Sequence, residues 1–389
     1  MCCKKEVASN TPETPKSKED KTRPKTFDKS FWGIFIPFLV FIVILLFFPY
    51  FFTQFNLFHI DFSKTGQIGD TLGGVMGPFI GIAAAILTFL AFWVQIKANK
   101  NQDKQFEDQN KQWTIERFES KFYELVHLHR ENVSEITIRN KHEGRRAFVV
   151  MYNEFRFCFY LVKNFVSKYP IGTSAIDLGF ERDDDETIAK IAYLIFFNGT
   201  GDKSDKLLIE PLNEICQSFF YLELLKIIKG VQDNYQKRKN ENEWCKLTIR
   251  FGNKVTYTHE ATYKPFMGHI SRLGHYYRHL FQTVKYVDEY DKYNFDDKER
   301  YNYLKTLRAQ LSSHEQILLY YNCLTSLGNI WLDKKHPYLI KYKMIKNIPL
   351  PIADFGIRPE EKFKDEIVEL RAKGEELFEW HEGKIKKQE

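Results

Sequence analysis

The chain has 389 residues and carries 57 lysines and arginines against 51 aspartates and glutamates, a net charge of +6. So small an excess over so much opposing charge argues against a dedicated nucleic-acid protein and suits an anionic membrane surface. The 6 cysteines include no CxxC pair, which excludes a zinc ribbon or a disulfide framework and fits a reducing compartment; no metal and no cofactor is expected.

Residues 1–30 are rich in Lys, Thr, Pro, Ser and Glu with almost nothing apolar, the composition of a disordered basic tail that cannot bury a core. From Phe31 to Phe52 follows an uncharged apolar run, roughly 33 Å long as a helix against a hydrocarbon core of about 30 Å. No small-residue cleavage site follows it, so it is read as a retained anchor. A second apolar run, residues 68–96, spaces Gly69, Gly73, Gly77, Gly81 and Ala85 four apart. That spacing puts every small residue on one face, where the backbone of a neighbouring helix, in the same chain or in another copy, can approach closely. Pro78 lacks the N–H that would bond the carbonyl of Gly74, and a kink is expected there. Asp70 sits in the first turn, where a carboxylate complements the helix dipole; a pore or proton role is the alternative. Basic residues crowd the segment before the first run and the exit from the second at Lys97, Lys100 and Lys104, while the loop between offers only Lys64. By the positive-inside rule, residues 31–96 form a transmembrane hairpin with both termini cytoplasmic.

Residues 97–117 read as a helical stalk that gains an amphipathic face as it enters the next domain, at Trp113, Phe118, Phe122 and Leu125. A coiled coil there would rest on Phe106 and Trp113 as seam residues. Residues 118–347 are patterned mainly as helix, with runs at Ala147–Lys168, Thr187–Phe197, Glu210–Ile228, Met267–Tyr290 and Tyr301–Leu327. Alternation on either side of Gly252 and Asn253 predicts a small β-hairpin. The aspartates at 183–185 read as a loop or helix start. Residues 348–389 form an irregular segment and a charged helix with Phe363, Ile367, Leu370 and Leu377 on one face. The expected fold class is mainly α: a two-helix transmembrane hairpin, a helical stalk and an α-helical cytosolic domain with a small hairpin.

Candidate chemistry is sparse. In the helix from Met267, residues Ile270, Leu273, Tyr277, Leu280, Val284 and Val287 follow three-and-four spacing and face a core. Arg272, His275, Arg278, His279 and Lys285 then form a basic stripe on the opposite side, with Tyr276 at its margin. Such a stripe holds a phosphate or an RNA backbone, or is simply solvated. Further on, Arg308 and His314 are the catalytic candidates: their spacing resembles the Arg-x4-6-His motif of HEPN ribonucleases, where histidine moves a proton and arginine holds the phosphate. The plainer readings are a core histidine in register with Leu304, Leu307, Leu311 and Leu318, and a packing network of Arg308, Ser312 and Glu315. His127 and His129, two apart, point to different sides of a helix and make a poor metal pair. With no phosphate-binding glycine loop, GxSxG elbow or Cys–His nucleophile, an enzyme is not the leading expectation.

Four stretches carry a family likeness: GQIGDTLGGVMGPFIG, FESKFYELVHLHRENV, GHYYRHLFQTVKYV and LRAQLSSHEQILLYYN. Across residues 31–322 the chain resembles the phage abortive infection proteins of the AbiC type. The resemblance implies a bacterial antiphage effector in the inner membrane whose triggered action stops the infected cell, and it supplies no catalytic residues. The expected partners are the lipid bilayer, further copies of the chain and a phage-derived trigger, with nucleic acid the lesser candidate. A membrane-tethered HEPN-like ribonuclease and a non-enzymatic scaffold that recruits another defence protein are the alternatives.

Overall fold

The computed structural model describes residues 67–169, 178–201, 205–241, 243–251, 254–291 and 295–379, together with 36, 37, 39–44, 47 and 50. The basic tail, the loop between the apolar runs, the turn at 252 and 253 and most of the run 31–52 lie outside the described residues. What is described of that first run is helical, but a two-helix hairpin is not shown. The described residues are mainly helical and divide into two compact units, 1–109 and 110–389.

Helix α1 spans Gln67–Glu135 and contains residues of both units. It continues past Pro78, since one lost hydrogen bond is small beside the ladder on either side. In the first unit its apolar residues are unburied, among them Phe79, Ile80, Phe89, Phe92 and Trp93. Among the described residues, a Cβ added to Gly69, Gly73, Gly77 or Gly81 would meet nothing within 4 Å, so the small-residue face is open. Phe106 and Trp113, the candidate seam, are also exposed.

In the second unit α1 buries Phe118, Phe122, Val126, His129 and Val133, which recur every three or four residues along one helical face. A two-residue ladder follows, β1 (Thr137–Ile138) with β2 (His142–Glu143). Then come α2 (Arg145–Lys168), α3 (Asp185–Asn198), α4 (Asp205–Asn213) and α5 (Ser218–Arg238). The antiparallel hairpin of β3 (Cys245–Phe251) and β4 (Lys254–Ala261) sits where alternation predicts it. The remaining helices are α6 (Ile270–Glu289), α7 (Asp297–Arg308), α8 (Ser313–Cys323), α9 (Tyr338–Lys341), α10 (Pro359–Lys362) and α11 (Lys364–Ala372).

The core centres on α2 and α3. Helix α3 is apolar nearly all round, as TIAKIAYLIFFN requires of a helix with no solvent face, and every residue from Ile191 to Asn198 is buried. Asp184 starts it, its carboxylate accepting from the Thr187 N–H at 3.0 Å. Phe155 of α2 meets Tyr193, Tyr321 and Phe355 at ring-centroid distances of 5.3, 4.8 and 5.4 Å. After α3 the chain crosses the segment that enters α6 in backbone-to-backbone contact. A Cβ on Gly199 or Gly268 would lie 2.5 Å from the other strand's backbone, and both residues have positive φ, +77° and +87°. Only glycine fits either position.

Four expectations are corrected. The run 301–327 is two helices, because Ser312 and Glu315 form a reciprocal capping box that starts α8 after a turn. The run 210–228 is divided between α4 and α5, which end and begin at Asn213 and Ser218. Ile270 opens α6 exposed rather than in the core, and Trp113 does not join the buried face of α1.

Candidate functional site

The last turns of α1 are held from one side by α6, α7 and the start of α8. Phe118 is the aromatic anchor: its ring lies 4.5 Å from Phe295, 4.8 Å from Tyr290 and Tyr303, and 5.6 Å from Tyr286, centroid to centroid. Polar contacts fix the register around it. Tyr303 donates to Glu119 Oε1 at 2.7 Å, Tyr290 to the Thr114 carbonyl at 3.3 Å, and His279 Nε2 to the Leu125 carbonyl at 3.0 Å. A carbonyl can only accept, so His279 carries its proton on Nε2. Just beyond the helix, Arg272 Nε donates to the Thr137 carbonyl at 2.7 Å.

Beneath these contacts lies a buried polar node. The Glu315 carboxylate accepts from Tyr276 at 2.9 Å and from the Ser312 hydroxyl at 2.6 Å and backbone N–H at 3.1 Å. Burial raises its pKa, opposed by the Ser312 bonds, the Tyr276 bond and the Arg145 charge. His129 of α1 faces it, 1% exposed, with Nε2 3.9 Å from Glu315 Oε2. That is beyond hydrogen-bonding distance, and among the described residues neither ring nitrogen of His129 has a hydrogen-bond partner. Burial, then the neighbouring His279 and Arg145, push its pKa down from 6.5 to about 4. The imidazole is therefore neutral at pH 7, packed against Tyr276 at 5.2 Å and stacked on His279 at 6.1 Å.

Every side chain that grips α1 here, from Arg272 to Glu315, lies within residues 268–352, the segment matched by the family described as "putative phage abortive infection protein". The AbiC-type resemblance is borne out there. The match covers about a fifth of the chain's 389 residues, starting later and ending later than the four likeness stretches. No curated protein and no solved structure matches the chain. The matched segment begins at Gly268, in the glycine contact that leads into α6, and its first helix supplies Arg272, Tyr276 and His279 to the dock.

The basic stripe is divided by this arrangement. Arg272 and His279 are spent on carbonyls of the α1 end, Lys285 lies 3.8 Å from Glu289, and only His275 and Arg278 stand exposed. Arg308 and His314 fall on α7 and α8 with separate partners. Buried Arg308 donates through Nη1 to the carbonyls of Tyr342 and Lys343 at 3.1 and 3.2 Å, whereas half-buried His314 meets the edge of Tyr152 at 5.1 Å. His127 is exposed beside Glu131. Among the described residues no cluster of His, Cys, Asp or Glu is arranged to hold a metal.

Sequence reasoning missed Glu154, which sits fully buried in the middle of α2. Its carboxylate accepts from the Tyr263 hydroxyl, from the Phe266 N–H at 2.5 Å and from His269 Nε2 at 2.8 Å. Burial alone would raise its pKa, but the His269 charge and these bonds outweigh burial and hold it below 4.5. Gln232 secures the same turn by donating to the carbonyl of Pro265 at 2.9 Å. An acid inside the apolar run FVVMYNEFRFCFYLV was the signal available.

Proposed function

We propose that the chain is a membrane-anchored effector of abortive phage infection, in which the helical domain responds to an infection cue and delivers it along α1 to the bilayer. The observation that carries this reading is the two ends of one uninterrupted helix. At one end α1 presents an apolar, unburied stretch from Gly73 to Ile96, about 24 residues or roughly 36 Å, sufficient to cross a hydrocarbon core. At the other end it is clamped by the AbiC-type segment. Exposing that much apolar surface to water is costly, at about 25 cal/mol per Å²; lipid removes the cost. The small-residue face of Gly69, Gly73, Gly77, Gly81 and Ala85, with Asp70 and Pro78 beside it, then serves packing between copies of the chain, whose assembly impairs the membrane. The expected localisation is the bacterial inner membrane.

The test is a Gly73→Leu, Gly77→Leu double variant. It keeps the span apolar and long but blocks close helix approach. Toxicity during infection should be lost while the protein remains expressed and membrane-bound, and a membrane-potential dye should then report no depolarisation. Undiminished toxicity in that variant counts against the reading, as does recovery of the wild-type chain in a detergent-free soluble fraction.

A further inference from the structure

A cationic cleft lies on the face of α7 away from the α1 dock's aromatic anchor. Lys298, Tyr301, Lys305 and Arg308 recur every three or four residues along α7, so they share one face. Opposite them, Lys341, Lys343 and Lys346 come from α9 and the turn after it. Two adjoining cavities result, of about 920 Å³ and 540 Å³, which share Lys346 and Glu376 in their linings. The larger is within the range of about 300–1,000 Å³ typical of small-molecule sites.

The cleft is built rather than incidental. Arg308 is buried and spends its guanidinium on the carbonyls of Tyr342 and Lys343, which fixes the turn that supplies the lysines. Lys343 takes a positive φ of +50° there, and its side chain is only 6% exposed, its ammonium paired with Glu375 at 2.9 Å. Lys341 is paired with Asp288 at 2.7 Å. Among the described residues Lys298, Lys305 and Lys346 have no carboxylate within ion-pair distance. Half-buried Tyr301, beneath Arg308 and Lys343 at 5.7 and 5.6 Å, registers the local field. Burial would raise its pKa, yet Arg308, Lys343 and Lys346 bring it down.

The other wall is acidic. Glu375, Glu376 and Glu379, from the segment after α11, line the same cavities, while Asp297 belongs to α7 itself and pairs with Lys341 at 3.7 Å. A continuous phosphate backbone would be repelled along that wall, whereas a compact ligand can place its phosphates on the lysines and hydroxyl or amino groups on the carboxylates. The geometry points to a binding site for a nucleoside polyphosphate in this cleft, with Glu375 holding Lys343 in reserve until the ligand arrives. This goes beyond the membrane reading above and does not depend on it.

Isothermal titration of the full-length chain in detergent, at low ionic strength, tests the assignment with ATP and inorganic pyrophosphate as probes. ATP should bind, a Lys305→Ala, Lys346→Ala variant should bind it at least tenfold more weakly, and Glu375→Gln should bind it more tightly by freeing Lys343. Both lysines are solvent-accessible and, among the described residues, in no ion pair, so an unchanged unfolding temperature separates lost binding from misfolding. Absence of ATP binding, binding unaffected by the lysine substitutions, pyrophosphate binding as tight as ATP, or binding of a short single-stranded RNA in preference to ATP would each overturn the proposal.

Discussion

Replacing His129 by leucine should leave the protein as stable as before, or more stable, at neutral pH and should remove much of its sensitivity to acid. The imidazole is 1% exposed and neither nitrogen has a hydrogen-bond partner among the described residues, so a leucine of similar size strands no donor or acceptor there. The pH dependence follows from the displacement of its pKa from 6.5 to about 4. Between those values the unfolded chain holds a proton that the folded chain does not, so stability is fully present above pH 6.5 and is lost as pH falls toward 4. At about 1.4 kcal/mol per pKa unit, going from pH 7 to pH 5 should cost the wild type roughly 2 kcal/mol through this one residue. Glu315 has the opposite slope: its raised pKa gives a contribution present below 4.5 and lost as pH rises through the folded value. It is retained in both proteins, so the difference between them isolates His129. Thermal unfolding of the full-length chain followed by circular dichroism at pH 7 and pH 5 measures the effect. About 2 kcal/mol corresponds to some 4–8 °C in a domain of this size. A variant less stable by about 2 kcal/mol or more at pH 7, with the acid slope of the wild type intact, would show that the imidazole has a partner and that the reasoning about an unpaired neutral ring is wrong.

Glu154→Gln should destabilise the second unit by about 2–4 kcal/mol in urea unfolding, because the amide cannot accept from all three donors that converge on the carboxylate. The deficit should shrink on acidification: with its folded pKa held below 4.5, the wild-type carboxylate stabilises above that value and loses its contribution as pH falls through the lower folded one. His314→Ala should cost about 1 kcal/mol for the lost ring contact with Tyr152 and leave phage defence intact. A plaque assay with parallel RNA gels checks this, and loss of defence together with newly stable cellular RNA would restore the ribonuclease alternative.

Periodicity exposed most of the helices and the hairpin, because each is a local pattern of burial. It failed wherever a contact joined residues far apart in the chain. Spacing puts Arg272 and His279 on a basic stripe, open to an anion or to solvent, because they lie to the side of Leu273, Tyr277 and Leu280 and the pattern of one helix does not show what packs against it. The buried surface of α6 is wider than that apolar stripe allows: Tyr276 and Thr283 are buried as well as Leu273, Tyr277 and Leu280, and Arg272 and His279 beside them are half-buried. The second cover is the end of α1, 154 residues away at the Leu125 carbonyl. The face of α1 that receives it is legible as the amphipathic entry into the domain at Phe118 and Phe122, although the buried register continues at Val126 and His129 rather than at Trp113 and Leu125. Tyr276 and His279 of α6 meet His129 and the Leu125 carbonyl of α1, contacts that neither helix shows in its own pattern. Arg272 and His279 are directed at the carbonyls of Thr137 and Leu125, while His275 and Arg278 keep the exposed side of the same helix, so one short polar stretch of α6 divides between a packing role and solvent according to what lies across from it.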